Sequence, residues 1–231
     1  MTNFIGGRVG RLRLPNLCLI TDREQCGDKL LEDVVSQAID GGVHVVQLRE
    51  KDLPSGELFA LAMRMREVTK NRSLLLINDR LDVAQACGAD GAEMPESGLP
   101  TPVARWVLGK HSIIGKSVHS VEAAQQAERD DADMVLIGPV FATPSKPKTA
   151  AAGLKLIKEV SESVSIPVLA VGGIRPENAA EVIKAGASGV AVISAICAAD
   201  DPKAAAQALM EAMADGWKAR VAAAAETAKE E

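Results

Sequence analysis

One phrase recurs along the chain and constrains its fold more than any other feature. A helical pattern ends at a glycine or acidic residue, one or two small residues follow, and a run in extended pattern begins. It reads Asp40-Gly41-Gly42-Val43, Gly88-Ala89-Asp90-Gly91, Asp131-Ala132-Asp133-Met134 and Gly186-Ala187-Ser188-Gly189. A glycine stops a helix by entering the left-handed region, and the small or acidic residues turn the chain into the next strand. The runs that read as strands are residues 17–20, 43–48, 74–77, 91–94, 112–115, 134–137, 167–171 and 190–193. The third, sixth, seventh and eighth are apolar nearly throughout, as parallel strands covered on both faces must be, while 91–94 rests mainly on its place in the series. Between them apolar residues fall at helical spacing: Leu30, Leu31, Val34, Val35 and Ala38, then Leu58, Leu61, Ala62, Met65 and Val68, and later Ala179, Ala180, Val182 and Ile183.

A strand-plus-helix unit repeated eight times predicts an α/β chain folded as a (β/α)8 TIM barrel. A doubly wound open sheet is the alternative, but the units are evenly spaced and the first strand-to-helix turn lacks a glycine fingerprint, which favours closure. The 231 residues are read as one barrel domain with an N-terminal extension at 1–15. Asp201-Pro202 starts the last helix, and 218–231 reads as its frayed end. Met63, Met65 and the other methionines are expected to fill the core.

Charge narrows the partners. Lys plus Arg number 26 against 31 for Asp plus Glu, a formal net charge of −5, so no global basic field exists to hold nucleic acid or an anionic membrane. No apolar run approaches the roughly 18 residues of a membrane helix. Residues 1–15 carry Arg8, Arg11 and Arg13 and no signal-peptide core, and the four cysteines show no paired short spacing. A cytoplasmic enzyme of small anionic molecules is expected; homo-oligomerisation is left open.

In such a barrel, chemistry gathers where the strands end. Gly172-Gly173-Ile174 after the seventh run and Ser194-Ala195-Ile196 after the eighth read as a phosphate cup, because glycine lets amide N–H groups approach an anion and a helix start carries partial positive charge. Arg49, Lys51 and Lys146 form a second cationic cluster, better suited to a diphosphate. Asp79, beside Asn78, offers hard oxygen for Mg2+. The bland alternative is that Arg49, Glu50, Lys51 and Asp52 satisfy one another and Asp79 pairs with Arg80. His119, two residues past Ser117, is placed either as a general acid/base or as an orienting group, whereas His44, inside the second strand, and His111, in a turn, receive no role.

The order Gln47-Leu48-Arg49-Glu50-Lys51, Asn78-Asp79-Arg80, Gly115-Lys116-Ser117-Val118-His119, Gly138-Pro139-Val140-Phe141, Gly172-Gly173-Ile174 and Ile193-Ser194-Ala195-Ile196 resembles the thiamin phosphate synthase superfamily from about Leu17 to Ala208. That superfamily includes a thiazole tautomerase branch. The resemblance implies that a pyrimidine-methyl diphosphate loses Mg2+-bound pyrophosphate and that the nitrogen of a thiazole phosphate attacks the resulting cation-like carbon. It implies that Arg49, Lys51, Asn78, Ser117 and Lys146 hold the diphosphate, with Gln47 in the substrate site. By the same resemblance Asp79 binds Mg2+, Thr143 and Ser145 position phosphates, and Gly173, Ser194 and Ile196 hold the thiazole phosphate, with Gly172 beside them.

Two departures matter. Synthases typically read Asp-Gly-Val-His-Leu-Gly-Gln-x-Asp where this chain reads Asp90-Gly91-Ala92-Glu93-Met94-Pro95-Glu96-Ser97-Gly98, so a second Mg2+ carboxylate falls on Gly98 and weaker metal binding is expected. The Met94-Pro95-Glu96-Ser97 loop and the segment through His119-Ser120 look more like the tautomerase branch, in which His119 would move the proton. Synthase is the leading expectation and tautomerase the alternative. A catalytically silent phosphate-binding barrel is the reading from another class.

Overall fold

The computed structural model describes residues 8–143 and 150–230. Ser145 and Lys146, both expected in the site, lie outside the described residues. The strands are β1 (Asn16–Ile20), β2 (Val45–Leu48), β3 (Leu74–Asn78), β4 (Gly91–Met94), β5 (Ile113–Val118), β6 (Met134–Ile137), β7 (Val168–Val171) and β8 (Gly189–Val192). They are parallel, pair in chain order, and close by pairing of β1 with β8, where Leu17 faces Val190 in register. The helices are α1 (Leu31–Asp40), α2 (Ser55–Thr69), α3 (Leu81–Ala86), α4 (Thr101–Leu108), α5 (Val121–Arg129), α6 (Gly153–Ser163), α7 (Pro176–Lys184), α8 (Ser194–Cys197) and α9 (Pro202–Glu230). The predicted (β/α)8 barrel is the observed one. No helix among the described residues is long and apolar enough to cross a membrane.

Alternation along each strand divides the apolar residues between two cores. Leu17, Leu19, Val46, Leu48, Leu75 and Ile77 point outward and meet the helices. Cys18, Ile20, Val45, Leu76, Ile113, Met134, Leu136, Leu169 and Ala191 point inward and fill the barrel, with Leu12 packed among them. The inward positions nearest the C-terminal ends of β2 to β5 are polar: Gln47, Asn78, Glu93 and Ser117 share the face of Val45, Leu76 and Ile113. This change from an apolar plug to a polar upper layer along one half of the wall creates the floor of a site.

β4, the least legible run, forms because Gly91 has no side chain. A Cβ there would run into the backbone of Ile113 on β5. The strand-entry phrase also works without glycine: in the third example Asp131 itself adopts φ 64°, a conformation tolerated by Asp more readily than by most residues.

Three expectations need correction. Met63 lies on the outer face of α2 and is 41% exposed, whereas Met65, two positions on, is fully buried. His44 precedes β2 and sits at the N-terminal end of the barrel instead of inside the strand. Lys116 and Ser117 belong to β5 and do not follow it, so Ser117 is held by ladder hydrogen bonds to β6, opposite Leu136.

Candidate active site

A cavity of about 350 Å3 opens at the C-terminal mouth of the barrel. Of the residues expected in the site, Gln47, Arg49, Lys51, Asn78, Ser117, His119, Thr143, Gly172, Gly173 and Ser194 line it. Asp79 and Ile196 do not; Ile196 is buried in α8 and supports the turn that Ser194 begins. Ile20, Leu136, Val171 and Val192 complete the floor, giving one polar and one apolar half, an arrangement suited to a planar ring carrying an anionic group.

The cationic wall is braced by residues that local reading did not connect. The bland alternative of self-paired charges fails, because Glu50 and Asp52 both pair with Arg23. Buried Glu50 also accepts the hydroxyl of buried Thr21 at 2.6 Å, and that hydroxyl accepts the Arg49 amide at 2.9 Å. Glu50 is therefore an internal anchor that fixes the turn after β2 and directs Arg49 and Lys51 to the cavity. Arg80, likewise, pairs with Asp82 and not with Asp79.

Asp79 sits at φ 63° directly after β3, its amide donating to the Glu93 carbonyl at 2.9 Å. Its carboxylate reaches the loop after β4: Oδ1 lies 3.0 Å from the point a Cβ would occupy at Gly98. The position assigned to a second carboxylate is thus physically adjacent to Asp79. Among the described residues no cluster of three or more His, Cys, Asp or Glu side chains could enclose a metal. The donor set fits Mg2+ nonetheless, since that ion is commonly held by one or two carboxylates together with substrate phosphate oxygens and water.

The opposite wall is the glycine turn after β7, the segment expected to hold a phosphate. Gly172 and Gly173 have φ of 100° and 65°, and a Cβ at Gly173 would stand 2.7 Å from the Ala142 carbonyl oxygen. Glycine is required there for both conformation and space. Asn178 of α7 anchors the turn, donating to the Gly173 carbonyl at 3.0 Å while accepting the Arg175 amide at 2.9 Å.

Two acid contacts complete the site. His119 Nδ1 lies 2.6 Å from Glu96 Oε2, and both residues line the cavity. Beneath the floor, Ser117 donates to Glu93 Oε1 at 3.0 Å, and Gly115 provides room for Oε2. Burial pushes the Glu93 carboxyl up to about 8, against the weaker downward pull of the Ser117 hydrogen bond and Lys116. The signal for Glu93 was present in the sequence as an acid at an inward position of a strand, but its burial depended on barrel closure.

Between the ordinary carboxyl range near pH 4.5 and about pH 8 the folded chain therefore keeps a proton on Glu93 that the unfolded chain releases. Stability is expected to fall as pH rises through that window, by at most about 1.4 kcal/mol per unit for one proton. Urea unfolding of Glu93→Gln should lack this slope; an unchanged slope would assign it to another group.

The model of the family described as thiamine monophosphate synthase matches residues 17–196. The chain belongs to that family. A thiamine-phosphate synthase of Roseiflexus sp. (strain RS-1) is 44% identical over 207 residues, covering 89% of this chain and 88% of the relative. A putative thiamine-phosphate synthase of Geobacter sulfurreducens is 47% identical over 197 residues, covering 84% and 92%. Among solved structures, thiamine phosphate pyrophosphorylase from Pyrococcus furiosus superposes with a TM-score of 0.80 at 36% identity, covering 87% of this chain and 96% of its own. The family match ends at Ile196, within the turn that follows the cup.

Proposed function

We infer that the chain acts as a thiamin phosphate synthase, a transferase of thiamin biosynthesis that joins hydroxymethylpyrimidine diphosphate to thiazole phosphate and releases pyrophosphate. The observation carrying this reading is a single cavity lined by Arg49, Lys51, Asn78 and Ser117 on one wall and Gly172, Gly173 and Ser194 on the other, two walls each suited to an anion. Two separate anions, one on each substrate, account for both.

In the reaction the bond from the pyrimidine methylene carbon to the diphosphate oxygen breaks, its electron pair leaving with the diphosphate. The thiazole nitrogen supplies the pair for the new carbon–nitrogen bond. Arg49 and Lys51 neutralise charge growing on the departing oxygens, while Asn78 positions it by hydrogen bonding, joined by Ser117 once its hydroxyl turns from Glu93 Oε1 to the diphosphate. The cup fixes the second phosphate so that the nitrogen faces the carbon, and no protein base is needed because the nitrogen attacks through its lone pair. Mg2+, held by Asp79 and the diphosphate oxygens, would add charge neutralisation to the leaving group. Lys146, Thr143 and Ser145 are assigned to the same diphosphate-binding group. The unbridged, buried Cys18, Cys26, Cys87 and Cys197 suit a reducing cytoplasm.

Purified protein given both substrates and Mg2+ should yield thiamin phosphate and pyrophosphate in equal amounts. A second reading, aromatisation of a thiazole carboxylate phosphate, draws on the His119–Glu96 pair in the cavity. Conversion of that compound without coupling would transfer the assignment, and absence of both activities would leave a phosphate-binding barrel. Gly98→Asp places a carboxylate beside Asp79 at a position with no positive φ, where modest movements of Pro95 and of the Asp79 side chain make room. The Mg2+ concentration for half-maximal rate is expected to fall roughly tenfold, corresponding to about 1.4 kcal/mol of added metal affinity. An unchanged metal requirement would separate Gly98 from the metal.

A further inference from the structure

A cavity of about 660 Å3 lies at the opposite end of the barrel from the mouth. It lies where the chain enters β2, β3 and β4, and its wall is rich in cations although the whole chain carries −5. Some of that charge is already used. Arg11 and Arg66 both pair with Asp90, whose Oδ2 also accepts the Leu75 amide at 2.9 Å. Arg72 pairs with Asp40 at 2.8 Å.

Arg13 and Lys70 remain. Both are exposed and line the cavity, and neither forms an ion pair with a carboxylate among the described residues. Polar atoms without partners among the described residues gather at the same place: His44 Nδ1, Ser73 Oγ and Arg66 Nε are buried, accept or donate no hydrogen bond there and belong to lining residues. Burial, aided by nearby Arg13, pushes the His44 imidazole down to about 4, so it stands neutral beside Arg13; among the described lining residues Glu67 is the one further carboxylate, against Arg13 and Lys70. The lining cations outnumber the carboxylates left to meet them, and the buried polar atoms beside them have hydrogen-bonding capacity to spare.

We propose that this cavity is a second anion site, which binds a small phosphorylated molecule between Arg13 and Lys70, with the Ser73 hydroxyl as a hydrogen-bond donor. It exceeds the mouth cavity in volume, leaving room for an organic group beyond the phosphate. No reacting group of the mouth lines it, so the site is one of binding and not of catalysis.

The test uses inorganic pyrophosphate as probe, without divalent metal, in calorimetric titrations of the full chain. Lys51→Ala weakens the mouth and should still bind pyrophosphate through the lower cavity. Adding Arg13→Glu and Lys70→Glu to that variant should weaken the remaining binding by at least tenfold. These two side chains are exposed, and a thermal melt within a few degrees of the parent establishes that the fold persists. Amide exchange in the parent chain should slow at residues 73–75 with pyrophosphate, and this protection should vanish in Arg13→Glu/Lys70→Glu. Equal affinity after charge reversal, or pyrophosphate protection confined to the mouth, would overturn the site whatever reaction the mouth performs.

Discussion

Asp79→Ala is expected to reduce coupling by roughly 100-fold or more, the scale seen when a group stabilising transition-state charge is removed. The size of the effect follows from redundancy that this chain lacks. Its neighbour at 98 is glycine, which brings no carboxylate to Asp79 Oδ1, and the nearby Arg80 is held by Asp82. On the proposed reading Asp79 would hold the metal without a second carboxylate from position 98. Coupling should also cease with a chelator and return with Mg2+. Structure should be little affected, because the residue contributes its amide hydrogen bond to the Glu93 carbonyl through the backbone, which alanine retains. The one structural cost is the left-handed conformation, less comfortable for alanine than for aspartate; Asp79→Asn keeps that tolerance while removing the charge and should lose activity similarly. Undiminished coupling in both variants, or in chelator, would remove the metal from the reaction.

The second large effect separates the two enzymatic readings. Lys51→Ala should lower coupling by roughly 100-fold, since its cation meets the charge that develops on the leaving diphosphate. His119→Ala should change coupling only a few-fold, because ionisation of the diphosphate moves no proton through imidazole. Tautomerisation reverses the order. There the His119 ring, oriented by Glu96 at 2.6 Å, would take a proton at one carbon and return it at another. Its loss would cost about 100-fold or more, as for other positioned acid/base groups. Glu96→Gln keeps a hydrogen-bond acceptor and removes the charge, so a tautomerase would show its loss mainly in kcat and in the pH profile. Coupling that survives Lys51→Ala would sink the synthase reading, and tautomerisation that survives His119→Ala would sink the other.

Much of the molecule could be read from local chemistry. Strand alternation, helix periodicity and the glycine-containing entry turns are properties of neighbouring residues, and repetition of that unit implied the barrel. Gly172-Gly173 was legible as a turn for the same reason, because its backbone conformation and close contacts admit only glycine, and it lines the mouth together with Ser194. Motif spacing put the second carboxylate position at Gly98, and Gly98 lies beside Asp79 in the folded chain.

What local chemistry could not determine was partner choice across the barrel. Glu50 and Asp52 lie beside Arg49 and Lys51 in the chain, yet both turn to Arg23 after β1; that choice turns a surface ion-pair cluster into a cationic wall. Met63 and Met65 have the same side chain two positions apart, and the rotation of α2 against the sheet puts one outside and the other in the core. Glu93 is an acid in a sequence window of ordinary polarity, and only closure of eight strands removes water from it and sets Ser117 and the space above Gly115 around it. The physical division is one of range: backbone conformation and periodic burial are set within a few residues, whereas desolvation and charge pairing depend on residues that meet only after the chain has closed on itself.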